Sequence, residues 1–245
     1  MMDYFIQPFM DYSFLQQALV ACFALSIGCA PIGVLIVLRR MSLMGDALSH
    51  SALPGVAIGY LIAGLSLPVM SIGGFIAGLV VALMSGAVSR STVLKEDATL
   101  VGFYLIALAA GVIIVSTQGS QVDLLHILLG SVLAVDEDAL LLISSVSSIT
   151  IVSLAIIYRP LILECCDPIF MRAIKGKGTF YHLFFIVLVV MNMVAALHAM
   201  GTLMALGLMM LPAISARFWG RQVWSLFMYA IVIALLSSYF GLLFS

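Results

Sequence analysis

Long apolar runs separated by short clusters of charge organise this chain. Runs at about 14–38, 42–64, 68–88, 98–116, 139–158, 180–198, 202–218 and 223–244 predict about eight transmembrane helices, since each is close to the ~20 residues an α-helix needs to cross a bilayer. A shorter apolar piece at 124–135 is too short to cross upright and reads as a re-entrant or interfacial helix, ended by Asp136-Glu137-Asp138. No internal repeat is visible. The predicted fold class is an all-α polytopic membrane protein, with residues 1–245 forming a single transmembrane domain.

The charged breaks orient the chain. All ten basic residues, Arg39, Arg40, Arg90, Lys95, Arg159, Arg172, Lys175, Lys177, Arg217 and Arg221, follow the first, third, fifth or seventh run. Positive charge marks the cytoplasmic side, so both ends of the chain are expected to face outward. Asp123 and Asp136–Asp138 then face the exterior. There they serve either the solubility of an outer loop or the attraction of cations.

Composition agrees with the pattern. Hydrophobic residues make up 64% of the chain, charged residues 9%, and mean hydropathy is +1.26, against near 25% charge in a typical soluble domain. A net charge of −1 points away from a nucleic-acid partner. Cys22, Cys29, Cys165 and Cys166 contain no Cys-x-x-Cys pair, and no disulfide framework is expected. The first residues lack the basic stretch of a signal peptide. There is no Gly-x-x-x-x-Gly-Lys-[Ser/Thr] phosphate loop, so any ATP hydrolysis must come from another chain.

Candidate chemistry concentrates in Ser42-Leu-Met-Gly-Asp46-Ala-Leu-Ser-His50-Ser-Ala-Leu-Pro54-Gly55. Asp46 and His50 are four residues apart, which puts a carboxylate and an imidazole on one helix face. Pro54 has no N–H, so the His50 carbonyl loses its helical partner and must find another within the membrane. An Asp inside a membrane helix costs about 2.5–3.5 kcal/mol on insertion scales and tends to mark a pathway. Two readings remain open from spacing alone: joint ligation of a divalent cation, or a structural Asp–His contact near enough to the interface to stay wet. The small-residue pairs Gly55/Gly59 and Gly74/Gly78 promote close helix packing and identify no function.

The segment 164–178 reads as a short cytoplasmic helix between breakers. Asp167 can cap it and Pro168 suits its first position. Its apolar face, with Ile169, Phe170, Met171 and Ile174, can pack under the bundle or enter a groove on another protein.

Arg40-Met-Ser-Leu-Met-Gly-Asp-Ala-Leu-Ser-His-Ser-Ala-Leu-Pro-Gly-Val-Ala57 resembles a motif of the manganese/zinc-type metal-ion ABC transporter permease family, the membrane subunits of bacterial divalent-metal importers. Leu94-Lys-Glu-Asp-Ala-Thr-Leu-Val-Gly102, Leu125-His-Ile-Leu-Leu-Gly130, Cys166-Asp-Pro-Ile-Phe-Met-Arg-Ala173 and the span from Ala196 to Arg217 are similar to further family segments, in order, over about 30–220. The resemblance implies a permease of the bacterial cytoplasmic (inner) membrane that forms a homodimer. It implies a separate cytoplasmic ABC ATPase dimer that binds the ATP, and an extracytoplasmic metal-binding protein. Asp46 and His50 match its metal-pathway positions. Asp167, Pro168, Phe170, Met171, Arg172 and Ala173 match its ATPase-coupling helix. The cargo it implies is zinc or manganese, with iron also compatible; no resident cofactor and no catalytic residue are expected. Family members usually carry a further helix after the stretch equivalent to 241–245, which this chain is expected to lack. The alternative function is an ion-coupled secondary cation carrier using Asp46 and His50 as a proton relay. A membrane metalloenzyme is disfavoured, because His50, His126, His182 and His198 fall on separate elements without His-Glu-x-x-His spacing.

Overall fold

The computed structural model describes residues 13–41, 43–64, 66–117, 135–167, 170–171 and 178–243. Every element among them is helical: α1 (Ser13–Leu38), α2 (Met44–Ser51), α3 (Leu53–Ala63), α4 (Leu67–Ser91), α5 (Glu96–Thr117), α6 (Glu137–Cys166), α7 (Gly178–Trp219) and α8 (Val223–Leu243). Six of these are long and apolar enough to cross a membrane. The piece at 124–135 lies, but for Val135, outside the described residues.

The 42-residue α7 is two arms. Gly201 sits at φ 77°, ψ 175°, a left-handed backbone that glycine adopts without a Cβ penalty. Packing against α1 shows that the chain reverses there. Arg39 reaches His182 and Gly28 faces Asn192, so the first arm runs antiparallel to α1. A straight α7 would carry Met209 about 25 Å beyond Asn192, at 1.5 Å per residue. Met209 instead lies against Gly33, between those two levels. The two arms are therefore the sixth and seventh spans predicted from hydropathy.

The second predicted span is also divided. Pro54, at the second position of α3, removes one bond from the hydrogen-bond ladder, and α2 gives way to α3 at Ala52, whose own backbone stays helical (φ −72°, ψ −24°). Counting α2–α3 as one crossing and the arms of α7 as two gives the eight expected from the hydrophobic pattern. One boundary differs clearly. The hydrophobic pattern ends the fifth span at Tyr158, yet α6 continues through Arg159 and Pro160 to Cys166. Arg159 is exposed at the helix surface, and Pro160 removes one ladder bond without ending the helix.

Two groups of helices result. α1 is the axis of the first and packs against α6, α7 and α8. In the second, α2 and α3 are held among α4, α5 and α7. α7 belongs to both groups, and it and α1 are the most enclosed spans, each 72% buried, against 17–33% for the others. The α3–α4 contact is backbone against backbone: Gly55 lies on the Gly73 carbonyl, and Gly59 on Val69 and Met70. This is the close approach that small residues permit in a membrane, where dispersion contacts replace the hydrophobic effect between helices. One buried polar group is paired across the core. Asn192 Nδ2 donates to Thr150 Oγ1 (2.7 Å) and to the Leu188 carbonyl (2.8 Å).

Candidate metal path and coupling segment

Asp46 and His50 share one face of the short helix α2. Their side chains meet with Asp46 Oδ1 3.5 Å from His50 Nε2. Two ligand atoms about 2.1 Å from one zinc-like ion at a tetrahedral angle stand about 3.4 Å apart, so the pair is spaced to share a cation. The side chains are 46% and 30% exposed, respectively, which leaves room on the open side for further ligands. Among the described residues, no third His, Cys, Asp or Glu joins them in a metal-binding group.

The fold fixes where the pair sits. Met209 touches both Gly33 and Gly45, so α2 begins level with Gly33, about 9 Å inward from Arg39 along α1. At its other end, Ser51 faces Gly78, which also meets Val190, midway along the first arm of α7. His50 is therefore near the level of the middle of α4 and of the first arm of α7. The junction at Ala52 follows at once, and the Ala52 N–H is directed at the carbonyls of Leu48 and His50. The His50 ring stacks on Tyr104 from α5, centroids 6.1 Å apart at 29°. Its Nδ1 is buried without a hydrogen-bond partner among the described residues. Tyr104 carries no signal in the sequence; only the packing of α5 on α2 brings it to the pair.

Of the residues expected to form a coupling helix, Asp167, Phe170 and Met171 are described; Pro168, Arg172 and Ala173 lie outside the described residues. Asp167 ends α6, and its Oδ1 accepts the Phe170 N–H at 2.9 Å, which is the N-cap geometry predicted for it. Phe170 is 49% exposed and Met171 only 3%. One apolar residue thus faces outward while its neighbour is buried near Gly178 at the start of α7. Asp136, Glu137 and Asp138 stand exposed at the start of α6, at the opposite end of that helix.

The fold is a bundle of interrupted and reversed apolar helices with a carboxylate–imidazole pair held between its ends. The chain belongs to the ABC 3 transport family, whose model matches residues 11–245. It is a multi-pass permease subunit of a bacterial ABC importer and not itself the ATPase. It is 31% identical over 242 residues to the manganese import system permease protein ScaB of Streptococcus parasanguinis, covering 99% of this chain and 85% of that one. It is 33% identical over 245 residues to the manganese transport system membrane protein MntC of Halalkalibacterium halodurans, covering 100% and 82%. Its fold is similar to PsaBC from Streptococcus pneumoniae, solved in complex with Fab, at a TM-score of 0.83 and 29% identity over 97% of this chain and 84% of that one.

Proposed function

We propose that this chain carries a divalent transition metal, manganese foremost and zinc as the alternative, from an extracytoplasmic binding protein into the cytoplasm, with Asp46 and His50 as ligands on the path. The observation that carries this reading is the 3.5 Å pair of Asp46 Oδ1 and His50 Nε2 on one face of α2. A carboxylate and an imidazole suit either ion, and their chemistry does not choose between them. The names of the relatives at 31–33% identity favour manganese. Two protein ligands bind weakly enough to release the ion, as conduction requires.

The partners are inferred from the surfaces the chain leaves open. A half-exposed Asp46 facing lipid would be costly, and Leu43, before α2, and Ile58 and Leu61, on α3, are exposed as well. A second copy covering this face would make the permease a homodimer, with the path enclosed between or within the protomers. On the cytoplasmic side, segment 164–178 couples the permease domain to an ABC ATPase dimer. Phe170 enters the ATPase groove, Asp167 caps the segment, Met171 anchors it, and Pro168, Arg172 and Ala173 complete it. On the outer side, Asp136–Asp138 form an acidic mouth that draws cations towards the docked binding protein.

The experiment is uptake of radiolabelled manganese and zinc into proteoliposomes holding this chain with its cognate ATPase and binding protein. Uptake of manganese that needs ATP and all three components is the expected result. Uptake by this chain alone, driven by a proton or sodium gradient, would overturn the reading in favour of a secondary carrier. In the same preparation, Phe170→Asp should cut ATPase co-purification by about tenfold or more, because a charge cannot replace an apolar anchor in a groove. Unchanged co-purification would remove Phe170 from the coupling surface.

A further inference from the structure

At the cytoplasmic ends of α1, α5, α6 and α7 lies a cavity of about 810 Å³, walled by Arg39, Glu96, Asp97, Glu164, Cys165 and His182 among others. One chain of polar contacts crosses it. Arg39 Nη1 donates to His182 Nδ1 at 2.6 Å, and His182 Nε2 stands 3.2 Å from Glu96 Oε1. Since Nδ1 accepts from a guanidinium, the ring proton sits on Nε2 and is donated to Glu96. The same guanidinium donates through Nε to Cys165 Sγ at 3.2 Å and lies 4.7 Å above the Phe185 ring. His182 and Cys165 are both buried, 7% exposed each. Arg39 thus holds α1 to α6 and α7 directly, and to α5 through the imidazole.

This cluster brackets the coupling segment. Glu164 and Cys165 are the residues by which the chain enters it, and Gly178 and His182 belong to the helix by which it leaves. Glu164 Oε2 is buried against Gly178, so the two ends of the segment touch. Any displacement of the end of α6 or of the start of α7 moves a partner of Arg39. Arg39 is also a fixed positive charge on the cytoplasmic side of the Asp46–His50 pair, and a cation leaving inward must pass its field.

We propose that Arg39, with His182, Glu96 and Cys165, forms an inner latch: it closes the cytoplasmic end of the path, and separation of the end of α6 from the start of α7 releases it. This rests on the importer reading above and adds the element through which the ATPase acts on the path. When the latch parts, Arg39 leaves Cys165 and the thiol becomes accessible from the cytoplasm. Release of the Arg39–His182 contact frees both Glu96 and His182 to face the passing cation.

Cys165 reports on the latch. The experiment uses the complete transporter with Cys166→Ser, since Cys166 is exposed, whereas Cys22 and Cys29 are buried. A membrane-impermeant maleimide is supplied on the cytoplasmic side, and metal uptake is measured in the same vesicles. Cys165 should label slowly at rest and about tenfold faster during ATP turnover with metal-loaded binding protein, as expected when a minor open state becomes populated. Arg39→Gln should label fast at rest, gain nothing from turnover, and move about fivefold fewer ions per ATP, because the closed state has lost its tie. Cys165 labelling that turnover leaves unchanged, in vesicles whose ATP-driven uptake is intact, would overturn the latch and leave the importer reading standing. Absence of uptake in the parent transporter would instead count against that reading. If Arg39→Gln does not assemble, the turnover dependence with Arg39 in place decides the matter.

Discussion

Asp46→Asn is expected to lower ATP-driven metal uptake by about a hundredfold, more than any other single polar change in this chain, while ATPase co-purification stays as it was. The substitution keeps the shape of the side chain and removes the charge and basicity that let it ligate a cation. A site with two protein ligands from this chain has little to fall back on, and each factor of ten corresponds to only about 1.4 kcal/mol. The fold should tolerate the change. The only side-chain partner of Asp46 among the described residues is His50, at 3.5 Å, and neutralising a carboxylate in a membrane helix removes a cost of about 2.5–3.5 kcal/mol. His50→Gln should lose a similar amount, and the double variant should lose little more than either alone, because ligands of one ion act as a unit. Uptake assays on the three variants check this. Losses that multiply would mean that the two residues act at separate sites.

Gly55→Leu should prevent the second helix group from assembling. A side chain at Gly55 would run into the Gly73 carbonyl and the Ala77 methyl. The obstacle is backbone on a packed helix, which cannot rotate away as a flexible side chain can. Overpacking of this kind typically costs about 1–3 kcal/mol and occasionally more, and here it falls one residue after Pro54, where α3 sets the position of the broken helix that carries His50. The expected outcome is aggregated or unrecoverable protein after detergent extraction. Gly64→Leu is the contrast, because nothing lies within 4 Å of a Cβ there, although its φ of +64° adds some backbone strain. Size-exclusion profiles of the two variants make the comparison. Equal monodispersity would mean that the Gly55–Gly73 contact does not limit assembly.

Much of the fold was legible in the sequence because the membrane leaves few choices. With no water to satisfy the backbone, apolar runs must be helical, and their lengths count the crossings. The reversal at Gly201 and the disruption at Pro54 could be read from the residues, since one escapes the Cβ penalty and the other lacks an N–H. The extension of α6 past Arg159 could not. A single charge ends an apolar run in a hydropathy profile, but a surface arginine does not end a helix. Asp46 and His50 were visible as a pair through their i, i+4 spacing. The Arg39–His182–Glu96 chain was not, because its members lie at the ends of three different elements far apart in sequence and nothing local links them. Tyr104 was missed for the same reason: its contact with His50 depends on how α5 packs on α2.

The most direct test of the central claim is an anomalous-scattering map from crystals of the assembled transporter soaked in manganese, with zinc as a second soak. The account predicts a peak bonded to Asp46 Oδ1 and His50 Nε2, at about 2.0–2.2 Å for zinc and slightly longer for manganese, with the remaining ligands supplied from the open side of α2. A map with ordered metal elsewhere along the path, and none between Asp46 and His50, would contradict it.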